Sequence, residues 1–265
     1  LPRDLPQQKV LTAGLQIEPM PHDYYERFDY FGNQTAYFSI QQPHDQLLVT
    51  ASSEIDTSAT ILVEEDAHLS WEMAREQVLN LGSAEATDAL QFVLDSPTVV
   101  VNDLILNYAL PSFAPGRSLV DAVHDLMQRI FHGFKYDPEF STIATPLKEV
   151  LEHRSGVCQD FAHLAIGCLR SMGLAARYVS GYIETEPPPG EERLVGADAS
   201  HAWFSVFLPG FGWLDFDPTN NQLPGDRHIT VAWGRDFADV TPLKGVAFGS
   251  GEHELKVAVD VLEVA

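Results

Sequence analysis

Gly156-Val157-Cys158-Gln159-Asp160-Phe161-Ala162 is the stretch on which the reading of this chain turns. Gly156 permits a tight turn and close backbone approach immediately before a cysteine. Ala162, Ala165, Ile166 and Leu169 follow at helical spacing, which predicts a helix opening at Cys158, running to about Met172 and ended by Gly173. At a helix start, unpaired backbone N–H groups and the positive end of the dipole favour a thiolate. The thiolate is the reactive form of cysteine, so a nucleophile here needs a base to take its proton and a carboxylate to orient that base.

Both partners have candidates downstream. His201 lies in Ser200-His201-Ala202-Trp203, at the start of a predicted strand over residues 202–208. Pro209-Gly210-Phe211-Gly212 turns the chain back, and residues 213–217 form the return strand, Trp213-Leu214-Asp215-Phe216-Asp217. His201 and an aspartate can therefore sit on neighbouring antiparallel strands. Asp215 and Asp217 are two apart and face the same side of an extended strand, so spacing alone leaves both open as the orienting group. Residues 175–182 predict a further strand between the helix and His201. An acidic, proline-rich loop, 184–192, lies between the Cys and His segments.

Upstream, residues 1 to about 63 read as β. Alternation over 10–17 stops at Pro19 and Pro21, Gly32-Asn33 marks a hairpin turn, and strands are expected at 35–40, 46–51, 53–56 and 60–63. From Ser70 to Leu94 the period changes to helical. Trp71, Ala74, Val78 and Leu81 mark one short helix, and Ala86, Ala89, Leu90 and Val93 a second. These elements form an expected β-rich N-terminal domain, 1–110, followed by a linker at 111–117. A core over 118–235 then opens with Ser118 as N-cap and Leu119, Val123, Leu126, Met127 and Ile130 on one helical face. Thr145-Pro146 predicts another helix, with Thr145 capping and Pro146 at the first position. The tail, 236–265, alternates from His253 to Val261 and is expected to return to a sheet as a strand.

Composition narrows the function. The 265 residues carry 38 acidic against 16 basic side chains, a net charge of −22, spread along the chain. That argues against nucleic acid and anionic membrane as partners, and no apolar run reaches membrane-spanning length. The opening Leu1-Pro2-Arg3-Asp4 shows no signal-peptide pattern. The two cysteines, Cys158 and Cys168, would lie about 15 Å apart on one helix, too far to bridge. A cytoplasmic, reducing setting is expected. No familiar metal-ligand spacing, aspartate-rich calcium loop or phosphate-binding glycine loop is present, so no metal or cofactor is expected.

Four segments together resemble the bacterial transglutaminase-like superfamily, whose members are often described as candidate cysteine proteases. They are residues 156–164, residues 174–182 (Leu174-Ala175-Ala176-Arg177-Tyr178-Val179-Ser180-Gly181-Tyr182), Ser200-His201-Ala202-Trp203, and residues 212–220 ending Asp217-Pro218-Thr219-Asn220. The first 60 or so residues are similar to that family's β-rich N-terminal domain. The resemblance implies an α+β, papain-like transglutaminase core, a Cys-bearing helix packed on an antiparallel sheet carrying His and Asp. It implies Cys158 as nucleophile, His201 as base and, through the Asp-Pro-Thr match, Asp217 as orienter.

Around them, the Cys158 N–H and Tyr136 are candidate oxyanion donors, Tyr136 having a core-aromatic role as its alternative. Gln159, Asp160 and Trp203 are further oxyanion or substrate candidates. For Gln159 and Asp160, polar residues suited to a helix N-terminus are the simpler reading. His163, on a different helical face from Cys158, reads as structural. The implied activity is thiol-dependent acyl transfer on a peptide, protein or small amide, with hydrolysis favoured. Transamidation of protein glutamine and a non-catalytic peptide-binding module are the alternatives. The oligomeric state is not legible.

Overall fold

Two antiparallel pairs begin the chain. The structure, a computed structural model, describes residues 1–58, 69–81, 83–142, 145–184, 200–249 and 254–264. The first strands are β1 (Gln8–Glu18), β2 (Asp23–Phe28), β3 (Gln34–Ser39) and β4 (Leu48–Thr57). β1 pairs with β4, and β2 with β3. The hairpin turn falls where expected. Gly32 has φ 74°, and the Asp29 carboxylate accepts the N–H groups of Phe31 and Asn33, each at 2.8 Å. The two short runs expected at 46–51 and 53–56 merge into the single strand β4, while the run at 60–63 lies outside the described residues.

Six α-helices follow among the described residues: α1 (Trp71–Leu79), α2 (Ala84–Leu90), α3 (Asp103–Ala109), α4 (Leu119–Gly133), α5 (Leu147–His153) and α6 (Cys158–Ser171). Ser70, Ser83, Asn102 and Ser118 cap the first four through side-chain oxygens. α5 differs from expectation: Pro146 is itself the cap residue, and the Thr145 hydroxyl instead accepts the N–H of Thr142 at 2.9 Å.

The core forms around α6, which is buried from Asp160 to Arg170. α4 covers it with Leu119, Val123, Leu126, Met127 and Ile130, all fully buried, each contributing roughly 1.5–3 kcal/mol of apolar transfer. Trp71, Ala74, Ile105 and Ala109 join the same cluster, so α1 and α3 pack with the core helices. The stretch expected as a linker at 111–117 is packed rather than free. Ser112 and Phe113 are buried, and Ser112 accepts bonds from Arg117 and Arg129.

The remaining strands are β5 (Lys135–Tyr136), β6 (Ser155–Gly156), β7 (Ala176–Ile183), β8 (Ser200–Leu208), β9 (Gly212–Phe216) and β10 (His228–Gly234). β5 and β6 form a short parallel pair. The others make one antiparallel sheet in the order β10-β7-β8-β9, with α6 against it. The α+β class, the Cys-bearing helix on an antiparallel sheet, and the β-rich beginning are thus all present.

The outer edge of β10 is covered by side chains of the N-terminal region. The Gln8 amide bonds both the N–H and the carbonyl of Thr230, each at 2.8 Å. Asn33 does the same to Trp233, at 3.0 and 2.8 Å. Arg3 lies over the Trp233 ring at 3.2 Å.

The tail expected as a strand is not one. Residues 254–264 hold a single bridge residue, Val259, and no strand, while His253 falls outside the described residues. Leu255, Val257, Leu262 and Val264 remain 79, 71, 63 and 69% exposed. Alternation provides an apolar face, but these four side chains stay largely exposed among the described residues.

Candidate active site

Four elements meet at one end of the sheet. Cys158 is the first residue of α6 and is partly exposed, whereas Cys168 is buried. The turn into α6 is tight. A Cβ on Gly156 would lie 2.8 Å from the Asp160 Cβ and Oδ2, so this position requires glycine. Asp160, at the third helical position, reaches back to accept the Val157 N–H at 2.8 Å, half of a capping box. It also accepts the Ser141 hydroxyl at 2.5 Å. Burial pushes its carboxyl up, against the pull of those two bonds. Asp160 is 2% exposed, and its bonds brace the cysteine's turn.

His201 enters β8 opposite Gly181 of β7. Its Nε2 lies 2.8 Å from Asp217 Oδ2, so Asp217 is the aspartate that meets the imidazole. Asp215, on the same strand face, bonds the Ser205 hydroxyl instead. Both members of the His–Asp pair are buried, Asp217 completely. Burial pulls the His201 pKa down, but the Asp217 hydrogen bond, a hydrogen bond with Cys158 and the charges of both outweigh it and raise the value. Burial alone would raise Asp217; bonds from His201, His228 and Asn220 and the His201 charge hold it well below the usual carboxylate range. With Nε2 on Asp217, Nδ1 is the ring nitrogen left for the cysteine.

Two residues at this site escaped the sequence reading. Asn220 donates from Nδ2 to Asp217 Oδ2 at 2.7 Å. His228, at the start of β10, places Nε2 3.2 Å from the same oxygen. Nitrogens of His201 and His228 and an oxygen of Asp217 lie within 4.8 Å of one another, close enough to be metal ligands. The hydrogen bonds among them already account for these close contacts.

The other candidates separate. Tyr136 is 52% exposed. It stands beside Gly156 in the β5–β6 pair, and burial and then the charge at Cys158 raise its pKa, so the phenol stays protonated near the sulfur. Gln159 is partly buried. Trp203 is fully buried and packs edge-on against His228, ring centres 5.3 Å apart, so no face of it is open to a substrate. His163 is buried and accepts the Phe237 N–H at 3.1 Å, a structural use; burial lowers its pKa to about 4.

Comparison with known proteins shows the family. Residues 109–218 match the core of the Transglutaminase-like superfamily, and residues 1–56 match the bacterial transglutaminase-like N-terminal region. An uncharacterized protein of Mycobacterium tuberculosis is 44% identical over 269 residues, covering 98% of this chain and 84% of that protein. The protein belongs to the transglutaminase-like superfamily. A protein-glutamine gamma-glutamyltransferase of Pseudomonas aeruginosa is 28% identical over 210 residues, covering 73% of this chain and 31% of that enzyme. Among solved structures, one titled "Putative Cysteine Protease", from Cytophaga hutchinsonii, shares the fold. Its TM-score is 0.71 at 21% identity, covering 91% of this chain and 76% of that one. No helix among the described residues is long and apolar enough to cross a membrane.

Proposed function

We propose that this protein is a thiol-dependent acyl-transfer enzyme that cleaves amide bonds in a peptide, protein or small amide, with Cys158, His201 and Asp217 as its catalytic triad. The observation that carries this reading is the buried His201–Asp217 pair at 2.8 Å, its imidazole raised in pKa by Asp217 and by Cys158 at the start of α6. A histidine so raised holds a proton, and a thiolate is its natural counter-charge.

In the proposed reaction the Cys158 sulfur attacks the amide carbonyl carbon. The carbonyl π pair moves to oxygen, where the Cys158 N–H, at a helix position without an intrahelical acceptor, donates to it. The Tyr136 hydroxyl is the second proposed donor. As the tetrahedral species collapses, the C–N bond breaks and His201 gives its proton to the departing amine, leaving a thioester. His201, now neutral, takes a proton from water as that water attacks, which releases the acid and restores the thiolate–imidazolium pair. Asp217 keeps the ring in its productive orientation.

Hydrolysis is the favoured outcome because water reaches an exposed thioester by default. Transamidation is the second reading, favoured by the similarity to the Pseudomonas glutamyltransferase over 73% of this chain; there an amine replaces water at the thioester. A free reactive thiol also suits a reducing compartment such as the cytoplasm. The test is turnover of peptide, glutamine-donor and amine-acceptor panels by the wild type and Cys158→Ala. Cys158-dependent release of amine without acceptor incorporation supports hydrolysis, and incorporation supports transamidation. A wild type that binds peptides but turns over no panel member would make the chain a binding module.

A further inference from the structure

We infer that His228 is a positioning residue, a neutral donor that holds Asp217 ionised and fixed for His201 without itself touching substrate. The inference rests on the proposed thiol chemistry and assigns a residue that the Cys158–His201–Asp217 set does not include.

The tautomer follows from its two bonds. His228 Nδ1 faces the Gly225 N–H at 3.4 Å, and a backbone N–H can only donate. Nδ1 is therefore the acceptor and the ring proton sits on Nε2. That N–H points at Asp217 Oδ2, 3.2 Å away. Trp203 stands edge-on to the ring at 88°, fixing its plane. Gly181 makes this stacking possible: a Cβ there would lie 2.5 Å from the Trp203 ring and 2.1 Å from the Ile229 carbonyl.

Asp217 receives five donors. Oδ1 takes the N–H groups of Thr219 and Asn220 at 2.9 and 3.2 Å. Oδ2 takes His201, His228 and the Asn220 amide. A carboxylate offers about four lone-pair sites, and a protonated carboxyl fewer. Five donors fill every site of the anion and leave no room for a proton, so the set selects the anion against the burial that opposes it. Three of the donors come from the Asp217–Asn220 turn itself. His228 is the one contributed by β10, and it approaches from the strand farthest from β9. It adds no charge, which matters because its ring centre is 6.1 Å from that of His201, where a second cation would compete for the same carboxylate.

The test compares His228→Phe, which keeps a ring against Trp203 but donates nothing, with His228→Gln, whose amide N–H reaches about as far as Nε2. Iodoacetamide alkylation of Cys158 is followed against pH in both, in the wild type and in His201→Ala, with melting curves recorded for each. Imidazole nitrogen NMR of the wild type reads the tautomer directly. The expected result is alkylation about tenfold or more slower near neutral pH in His228→Phe, the scale of one hydrogen bond to a charged group. Most of the rate should return in His228→Gln, and NMR should place the His228 proton on Nε2. Equal loss in both variants, no loss in His228→Phe while His201→Ala is slowed, or a proton on Nδ1 would overturn the role of His228 and leave the thiol reading standing. A His201→Ala profile identical to wild type would instead overturn the thiol reading beneath it.

Discussion

Gln8 at the start of β1 holds Thr230 of β10 with both ends of its side-chain amide, each bond 2.8 Å. It supplies the pairing a neighbouring strand would otherwise give, two residues from His228. Gln8→Ala should leave a buried N–H and carbonyl unpaired, a loss of about 1–3 kcal/mol. Urea denaturation measures it. If the edge of β10 also positions His228, Cys158 alkylation should slow in the same variant; unchanged stability would mean water replaces the amide.

Gly156 allows Asp160 to fold back under the cysteine. In Gly156→Ala the new methyl would meet Asp160 at 2.8 Å, and overpacking of this kind costs about 1–3 kcal/mol. The melting temperature should fall and Cys158 alkylation should slow together. A variant with normal stability and normal reactivity would show that the turn relaxes freely.

The His201–Asp217 pair sets a pH dependence of stability. His201 is raised by folding, so its contribution is complete below the unfolded value of about 6.5 and is lost as pH climbs through the raised folded value. Asp217 is lowered, so its contribution is complete above about 3.9 and is lost only as pH falls through the lowered folded value. The gap in melting temperature between wild type and Asp217→Asn should therefore be widest between about pH 4 and 6.5 and narrow toward pH 10. A gap constant with pH would contradict the pairing.

Asp215 and Asp217 should separate in function. Asp215 bonds Ser205 and Asp217 bonds His201. Asp217→Asn should lower kcat/KM by roughly 10⁴-fold, the scale seen when a triad histidine loses its orienting carboxylate. Asp215→Asn should keep activity within a few-fold. Equal losses on one substrate would remove the distinction.

Local chemistry explains what was legible. The α6 start, the Ser118 cap, the Gly32 turn and the β8–β9 hairpin each carry their own signal in a few adjacent residues. α3 gives no periodic signal because Leu104, Ile105, Leu106, Tyr108 and Ala109 make it apolar almost throughout, although only Ile105 and Ala109 are buried. β10 was missed for a different reason. Its buried face carries His228 and Thr230, while Ile229 and Val231 are only half-buried, so its apolar pattern marks the wrong side. The tail differs in the opposite way: its pattern is good, yet its apolar side chains stay exposed among the described residues. Spacing could not choose between Asp215 and Asp217, because the choice depends on which cross-strand neighbour each one meets.

The most direct measurement of the central claim is the rate of Cys158 alkylation by iodoacetamide across pH, in wild type and His201→Ala, with buried Cys168 as the internal reference. Wild-type Cys158 should react far faster than Cys168, with reactivity persisting on the acidic side of neutral. Removing His201 should slow Cys158 alkylation toward the rate of an unassisted thiol. Superimposable profiles in the two proteins would contradict the thiolate–imidazolium pair and, with it, the catalytic reading of this site.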